Sequence, residues 1–134
     1  MIYVDTSVLL AELLAEDHAP PPALWDETLI ASRLLEYETW TRLHGRRLAA
    51  SHGESARSLF GRLAWIELSA TVLSRALEPF PIAVRTLDAL HLASIDFLRR
   101  NGQQIELASY DIRQLEAARR MGVPVSPLTP RPAG

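Results

Sequence analysis

The chain has 134 residues, of which 48% are hydrophobic, and this is enough for one domain with its own core. It contains no cysteine, which excludes disulfides and thiolate metal sites, and its formal net charge of -2 excludes nucleic-acid binding by bulk positive charge. All 14 basic residues are arginines, so every mechanism that needs an active-site lysine is excluded as well.

The sequence shows no sign of a membrane segment or a targeting segment. No run of about 18 apolar residues occurs, so we expect no membrane-spanning helix and no membrane partner. The first residues lead almost directly into a strand-like segment, without a basic region followed by an apolar stretch, so we expect no signal peptide. With the lack of cysteine, these features predict a cytoplasmic protein.

Strand-like and helix-like segments alternate along the chain. Strands are predicted at residues 2–4, 28–31, 65–68, 105–108 and 123–125. Helices are predicted at residues 8–15, 32–50, 55–63, 71–77, 86–100 and 111–121, with Thr6 or Ser7 capping the first and a break at residues 52–53. This alternation predicts an α/β fold with a mostly parallel sheet. We expect one domain over residues 1–128 and a flexible, proline-rich tail over residues 129–134.

Four acidic residues lie where predicted buried segments begin or end: Asp5, Glu38, Asp88 and Asp111. Taken singly, Asp5 and Asp111 suit helix caps, and Asp88 suits the positive end of a helix dipole. Taken together they predict a site, because ligands of parallel sheets bind beyond the carboxyl ends of the strands. Buried carboxylates need a counter-charge, and hard oxygen ligands select Mg²⁺ or Mn²⁺.

Helical phase separates Glu38 from its neighbour Glu36. At about 100° per residue, Glu36 lies roughly 200° from Leu34, on the opposite face of the helix. Glu38 lies roughly 40° from Leu34, on the stripe that also holds Tyr37. We therefore expect Glu38 to face inward and Glu36 to face solvent.

Several other polar and aromatic residues have ordinary structural explanations. His91, one helical turn after Asp88, is expected to pack or to support the site rather than to act as a base. Asp96 lies two turns after Asp88 and is expected to face elsewhere. Core or interface positions are expected for the three tryptophans, Trp25, Trp40 and Trp65.

Four segments together resemble the PIN domain. They are Val4-Asp5-Thr6-Ser7, residues 32–38, Thr86-Leu87-Asp88-Ala89-Leu90-His91-Leu92-Ala93, and Ala108-Ser109-Tyr110-Asp111. The resemblance extends from Met1 to about Leu128, and the small size is similar to that of VapC toxins from bacterial and archaeal toxin–antitoxin pairs. It implies a metal-dependent endoribonuclease built on a parallel sheet of order 3-2-1-4-5.

The same resemblance implies roles for individual residues. The catalytic and metal-binding positions of the family correspond to Asp5, Glu38, Asp88 and Asp111, the last at the position that varies most. Supporting hydroxyls are implied at Thr6, Ser7 and Ser109, where Ser109 stands in place of the threonine that is common in the family. The resemblance also implies Mg²⁺ or Mn²⁺ as cofactor, an RNA substrate, a cognate VapB-like antitoxin and a homodimer.

Because the chain is nearly neutral, we expect RNA contacts to depend on a few arginines near the acidic residues. Arg42 and Arg46 lie one and two turns after Glu38, and Arg113 follows Asp111. The alternative explanation for each of these arginines is solvated surface charge. Exposed tryptophans such as Trp25 or Trp40 are candidate anchors for an antitoxin helix, with core packing as the alternative.

Two other functions compete with the nuclease hypothesis. A phosphoaspartyl-type phosphatase also begins with a strand that ends in aspartate, but it usually has a second aspartate two positions later, where this chain has Ser7, and it needs a lysine. A catalytically inactive PIN-like binding module would keep the fold without the chemistry. The intact acids at all four positions argue against this second alternative.

Overall fold

The structure is a computed structural model, and it describes residues 1–129. Its strands are β1 (Ile2–Val4), β2 (Leu29–Ser32), β3 (Ala64–Ile66) and β4 (Glu106–Ala108). Its α-helices are α1 (Thr6–Leu13), α2 (Arg33–Gly45), α3 (Ala49–Phe60), α4 (Ala70–Ala76), α5 (Thr86–Arg100) and α6 (Ile112–Arg120), and a 3₁₀ helix covers Pro22–Asp26. The predicted alternation of strands and helices is confirmed.

The four strands form one parallel sheet in the order β3-β2-β1-β4. The α/β fold is therefore confirmed, with four strands rather than the five expected. Within residues 1–129, the predicted last strand is reduced to an isolated parallel bridge between Val125 and Leu107 of β4. Pro124 stands in the middle of that segment, and it accepts a hydrogen bond from Leu107 but has no N–H to extend the pairing.

The central strand β1 contributes to both layers of the core. Ile2 and Val4 pack on the face covered by α1, α2 and α3, whereas Tyr3 packs on the opposite face with α5 and α6. This follows from the alternation of side chains along a strand. Because both faces are covered, all three residues of β1 are buried. Asp5, which follows β1, is buried as well and lies at the carboxyl end of this central strand.

The break between α2 and α3 lies earlier than predicted. α2 ends at Gly45, and Arg47 adopts a left-handed φ of 57° before α3 begins. The break expected at residues 52–53 is wrong, since Gly53 lies inside α3. A Cβ at Gly53 would stand 3.1 Å from the Trp40 ring, so the glycine provides space for this ring to pack rather than ending the helix.

The end of the described chain is packed against the domain. Thr129 is buried, and its hydroxyl donates to the Ser126 carbonyl at 3.3 Å. The rest of the tail predicted at residues 129–134 lies outside the described residues, and the domain boundary at residue 128 stays a prediction. None of the helices within residues 1–129 is long and apolar enough to cross a membrane.

Candidate active site

Asp5 lies at the carboxyl end of β1 and is 6% exposed. Its Oδ2 accepts hydrogen bonds from Ser7 Oγ at 2.6 Å and from Ser109 Oγ at 2.9 Å. Asp5 itself caps α1, so the prediction that Thr6 or Ser7 would be the cap is wrong. Its Oδ1 lies 3.9 Å from His91 Nε2 and is the oxygen left available for a cation.

Two serine hydroxyls join the carboxyl ends of β1 and β4. Ser7 Oγ accepts a hydrogen bond from the Tyr110 backbone N–H at 3.0 Å, and Ser109 Oγ accepts one from the Asp111 backbone N–H at 3.0 Å. Each hydroxyl therefore donates to Asp5 while it accepts from the segment that follows β4. This arrangement fixes Asp5 and Asp111 at the same edge of the sheet.

Glu38 projects from α2 toward the same edge. Its Oε1 accepts hydrogen bonds from Thr6 Oγ1 at 2.8 Å and from His91 Nε2 at 2.6 Å. Glu36 instead lies 3.7 Å from Arg33, on another side of α2. The structure therefore places the two glutamates on the different faces that helical phase predicts, and only Glu38 faces the other acidic residues.

His91 is 2% exposed and lies between Glu38 and Tyr3, whose Oη is 2.7 Å from His91 Nδ1. Burial alone would lower the pKa of His91, but the hydrogen bond to Glu38 and the charges of Asp5, Glu38 and Asp88 raise this pKa above its ordinary value. Burial, followed by the charge of Asp5, raises the pKa of Tyr3 well above its ordinary value. The phenol is therefore protonated at neutral pH.

Tyr3 is the residue of this site that sequence reasoning missed. His91 is packed as predicted, but its contact with Glu38 was not foreseen. The available signal was a tyrosine in an otherwise aliphatic central strand, because a buried phenol needs a hydrogen-bond partner.

Asp88 lies in the first turn of α5, where its Oδ2 accepts a hydrogen bond from the Arg85 backbone N–H at 3.3 Å. Burial raises the pKa of Asp88, the hydrogen bond from Arg85 opposes this increase, and the charges of Asp111 and Asp5 raise the pKa further. Burial and the charges of Asp111 and Asp5 therefore disfavour the ionised form of Asp88.

Asp111 caps α6, as its spacing to Gln114 predicted. Its Oδ1 accepts hydrogen bonds from the backbone N–H groups of Arg113 at 3.0 Å and Gln114 at 3.2 Å. The geometry accounts for a structural role of this carboxylate, and its role toward a metal stays a prediction.

The acidic residues fit a divalent cation in their chemistry. Among residues 1–129, no three histidine or carboxylate side chains are arranged closely enough around one point to hold a metal by themselves. Mg²⁺ does not require this, because it commonly binds through one or two carboxylates and keeps several waters. Asp5 keeps one carboxylate oxygen available, and a cation would offset the burial and the neighbouring negative charges that raise the pKa of Asp88.

A groove of about 490 Å³ borders the acidic residues and lies between α1, α2 and the start of α5. Glu38 lines it together with Arg42 and Arg46, whose side chains are exposed. Tyr37, expected on the inward stripe, lines this groove and is 67% exposed, whereas Leu34 on the same stripe is buried. Arg113 lies on α6 and does not line this groove.

Asp96, Trp25 and Trp40 lie outside the acidic edge, which is the carboxyl end of the sheet where Asp5 and the other three acidic residues lie. Asp96 pairs with Arg75 at 2.7 Å and with Arg100 at 3.2 Å. Trp25 is 8% exposed and belongs to the core, and Trp40 packs against that core. Core packing is therefore the explanation that the structure supports for both tryptophans.

The chain is similar to a known domain family and to a named relative. A family model described as the PIN domain matches residues 2–120. The chain is 32% identical to Ribonuclease VapC47 of Mycobacterium tuberculosis over 131 residues, which covers 91% of this chain and 93% of that protein.

Two solved structures share the fold. VapC20 of Mycobacterium tuberculosis, a toxin that cleaves the sarcin–ricin loop, superposes with a TM-score of 0.63 at 22% identity, covering 87% of this chain and 95% of that chain. A chain of VapBC2 from Rickettsia felis, bound to a DNA fragment from its promoter, superposes with a TM-score of 0.60 at 16% identity, covering 94% of this chain and 98% of that chain.

Proposed function

The chain belongs to the PIN-domain family, and we propose that it is a metal-dependent endoribonuclease that hydrolyses RNA phosphodiester bonds as the toxin of a toxin–antitoxin pair. One observation carries the proposal. Asp5, Glu38, Asp88 and Asp111 come from four different elements and lie at one edge of a parallel sheet, where hydroxyl groups or backbone N–H groups hold them in place. The relative that is 32% identical is named as a ribonuclease, which supports RNA hydrolysis as the reaction.

The proposed ion is Mg²⁺ or Mn²⁺, with Asp5 and Asp88 as its principal ligands and Glu38 and Asp111 completing the site. When bound, such an ion activates water and offsets charge on the scissile phosphate. Ser7 and Ser109 hold Oδ2 of Asp5, which leaves Oδ1 directed to the site.

RNA is proposed to enter along the groove that Glu38 lines. Arg42 on α2 and Arg46 at the C-cap of that helix line the same groove and can contact phosphates that flank the scissile bond. Arg113, next to Asp111 on α6, is a candidate contact on the other side of the site. Local contacts of this kind are required, because the net charge of -2 offers no general attraction for RNA.

The proposed partners are a VapB-like antitoxin and a second copy of the chain, all acting in the cytoplasm. An apolar cavity of about 990 Å³ lies between α4, the following loop and α5, and Leu73 and Leu77 on its border are 44% and 89% exposed. Exposed apolar side chains that lie together are a feature of protein–protein contact surfaces. The acidic edge is open to an arginine supplied by an antitoxin.

The direct test is cleavage-site mapping in total RNA, comparing the purified wild-type protein with Asp5→Asn. We expect defined cuts with Mg²⁺ or Mn²⁺, no cuts in excess EDTA, and a loss on the order of 100-fold or more in the folded variant, because metal catalysis contributes several kcal/mol. Full activity in EDTA or in Asp5→Asn would contradict the proposal. Absence of cleavage by the wild-type protein on every RNA would instead favour the inactive binding module.

A further inference from the structure

Three hydrogen bonds connect the buried core to the acidic edge. Tyr3 Oη lies 2.7 Å from His91 Nδ1, His91 Nε2 lies 2.6 Å from Glu38 Oε1, and Thr6 Oγ1 donates to the same Oε1 at 2.8 Å. We infer that His91, oriented by Tyr3, is a positioning residue that fixes the Glu38 carboxylate for the reaction. This inference rests on the proposed nuclease function, in which Glu38 belongs to the site.

The chemistry of the donors and acceptors defines the orientation of the imidazole ring. An ionised carboxylate can only accept hydrogen bonds, so His91 Nε2 carries the proton that points to Glu38. In the neutral ring Nδ1 is then an acceptor, and it accepts a hydrogen bond from the Tyr3 hydroxyl. Rotation of the ring by 180° would present carbon atoms to both partners and break both bonds, so Tyr3 fixes the ring orientation that Glu38 needs.

Glu38 requires this support because of its position. Its side chain has several rotatable bonds and projects from α2 beside an open groove that also holds Arg42 and Arg46. Ordering such a side chain costs conformational entropy, which the two donors on Oε1 offset. With Oε1 engaged by Thr6 and His91, Oε2 is the oxygen directed to a cation or to substrate.

The two residues that hold Glu38 in place lie in the buried core. Both His91 and Tyr3 are almost fully buried, at 2% and 0% exposure, so neither contacts substrate directly. His91 lies three residues after Asp88 on α5, which places the two residues on one face of that helix. α5 therefore contributes one carboxylate directly and holds a second one through His91.

Four variants test the inference: His91→Leu, His91→Gln, Tyr3→Phe and, as a control that removes a phenol hydroxyl elsewhere, Tyr110→Phe. The amide nitrogen of glutamine can occupy the place of Nε2 and donate to Glu38, whereas leucine cannot. The first readout is the NMR side-chain order of Glu38 in metal-free protein, which needs neither RNA nor metal. The second is Mn²⁺ affinity, and the third is kcat and KM on an RNA oligonucleotide that carries a mapped cleavage site.

We expect His91→Leu to release the Glu38 side chain and to lower Mn²⁺ affinity or kcat by about 10- to 100-fold, with little change in KM, as is usual when a ligating carboxylate loses its hydrogen-bond partner. His91→Gln should recover most of that loss, Tyr3→Phe should be intermediate, and Tyr110→Phe should equal wild type. A folded His91→Leu protein with an ordered Glu38 would overturn the inference. The inference would also be overturned if His91→Leu and His91→Gln lost the same amount of Mn²⁺ affinity and kcat, and if that loss only followed their lower thermal stability. Because the NMR readout does not involve RNA, failure of the positioning role is distinguishable from failure of the nuclease proposal.

Discussion

Glu36 and Glu38 are two residues apart on α2, yet only the Glu38 carboxylate reaches another helix, where it accepts a hydrogen bond of 2.6 Å from His91 on α5. Glu36 contacts Arg33 on its own helix at 3.7 Å, and both of those side chains are 36% exposed. The two glutamates therefore form a natural matched pair, with the same chemistry in different surroundings.

The first prediction uses this pair. Glu38→Gln should lower RNA cleavage on the order of 100-fold, because the site loses a carboxylate charge, whereas Glu36→Gln should stay within about twofold of wild type, because an exposed ion pair contributes little. The measurement is the initial rate of cleavage of one RNA oligonucleotide at saturating Mg²⁺, for both variants and for wild type. Greater damage from Glu36→Gln would mean that the site has been assigned to the wrong face of α2.

The second prediction concerns stability without metal. The pKa of Asp88 is raised by burial and by the charges of Asp111 and Asp5, so folding favours its protonated form. Its contribution to stability is therefore full below the ordinary pKa of an aspartate and is lost as the pH rises through the raised value. In EDTA at pH 7, Asp88→Asn should unfold at a higher temperature than wild type, because asparagine removes the charge and can still accept from the Arg85 N–H.

The pH dependence supplies the control for this measurement. The difference in unfolding temperature between wild type and Asp88→Asn should shrink as the pH falls through the range in which Asp88 takes up its proton. Added Mn²⁺ should raise the unfolding temperature of wild type more than that of the variant. A lower unfolding temperature for Asp88→Asn at pH 7 in EDTA would mean that burial and the neighbouring charges do not destabilise the ionised form of Asp88.

The third prediction separates the two roles of Asp111. Asparagine is also a good helix cap, so Asp111→Asn should keep the hydrogen bonds to Arg113 and Gln114 but lose the charge. Asp111→Ala should lose both and should reduce the free energy of unfolding by about 1 kcal/mol. If the charge serves catalysis, both variants lose activity; activity retained in Asp111→Asn alone would limit this residue to capping α6. Chemical denaturation and cleavage rates on the same samples give the answer.

The fourth prediction concerns the arginines of the groove. Arg42→Ala and Arg46→Ala should each weaken RNA binding and reduce the slope of log affinity against log salt by about 0.7 for each phosphate that the variant no longer binds. Arg113→Ala tests the other side of the site, and Arg100→Ala, where the arginine pairs with Asp96, serves as the control. Fluorescence anisotropy with single-stranded RNA in the Asp5→Asn background avoids cleavage. Unchanged affinity and slope would remove the substituted arginine from the interface.

The sequence was sufficient where local signals and periodicity agree. The helix predicted at residues 86–100 is observed with those bounds, because its apolar pattern is continuous and Asn101-Gly102 ends it, with Gly102 at a φ of 87°. The positions of Asp5 and Asp111 at one edge followed from parallel strands, whose carboxyl ends meet at the same side of a sheet.

The sequence was insufficient where a distant contact decides the outcome. Gly53 suggested a helix end, but it lies within α3 because the Trp40 ring packs against it. The bonds from His91 to Tyr3 and Glu38 join residues that are 88 and 53 positions apart, and no pattern within a single segment encodes them. Such contacts emerge only when β1, α2 and α5 are packed together.

The last prediction concerns the proposed antitoxin. Removing its gene should make expression of the wild-type chain toxic, whereas Asp5→Asn should be tolerated, because an active ribonuclease damages its own cell. Co-expression with the product of the neighbouring small open reading frame should give a stable, inactive complex.

We expect the chain alone to be a dimer, in which Leu77, at 89% exposure in the monomer, becomes covered. Light scattering on the chain alone and on the complex measures both assemblies, and Leu77→Glu should shift the free chain toward monomer because it places a charge in that contact. RNase assays then show whether the complex is inactive. The same assays on complexes with arginine-to-alanine variants of the antitoxin show whether cleavage returns, as expected if an arginine neutralises the acidic edge. A free chain that is monomeric and neither binds nor is inhibited by that product would exclude the toxin role and leave the nuclease proposal intact.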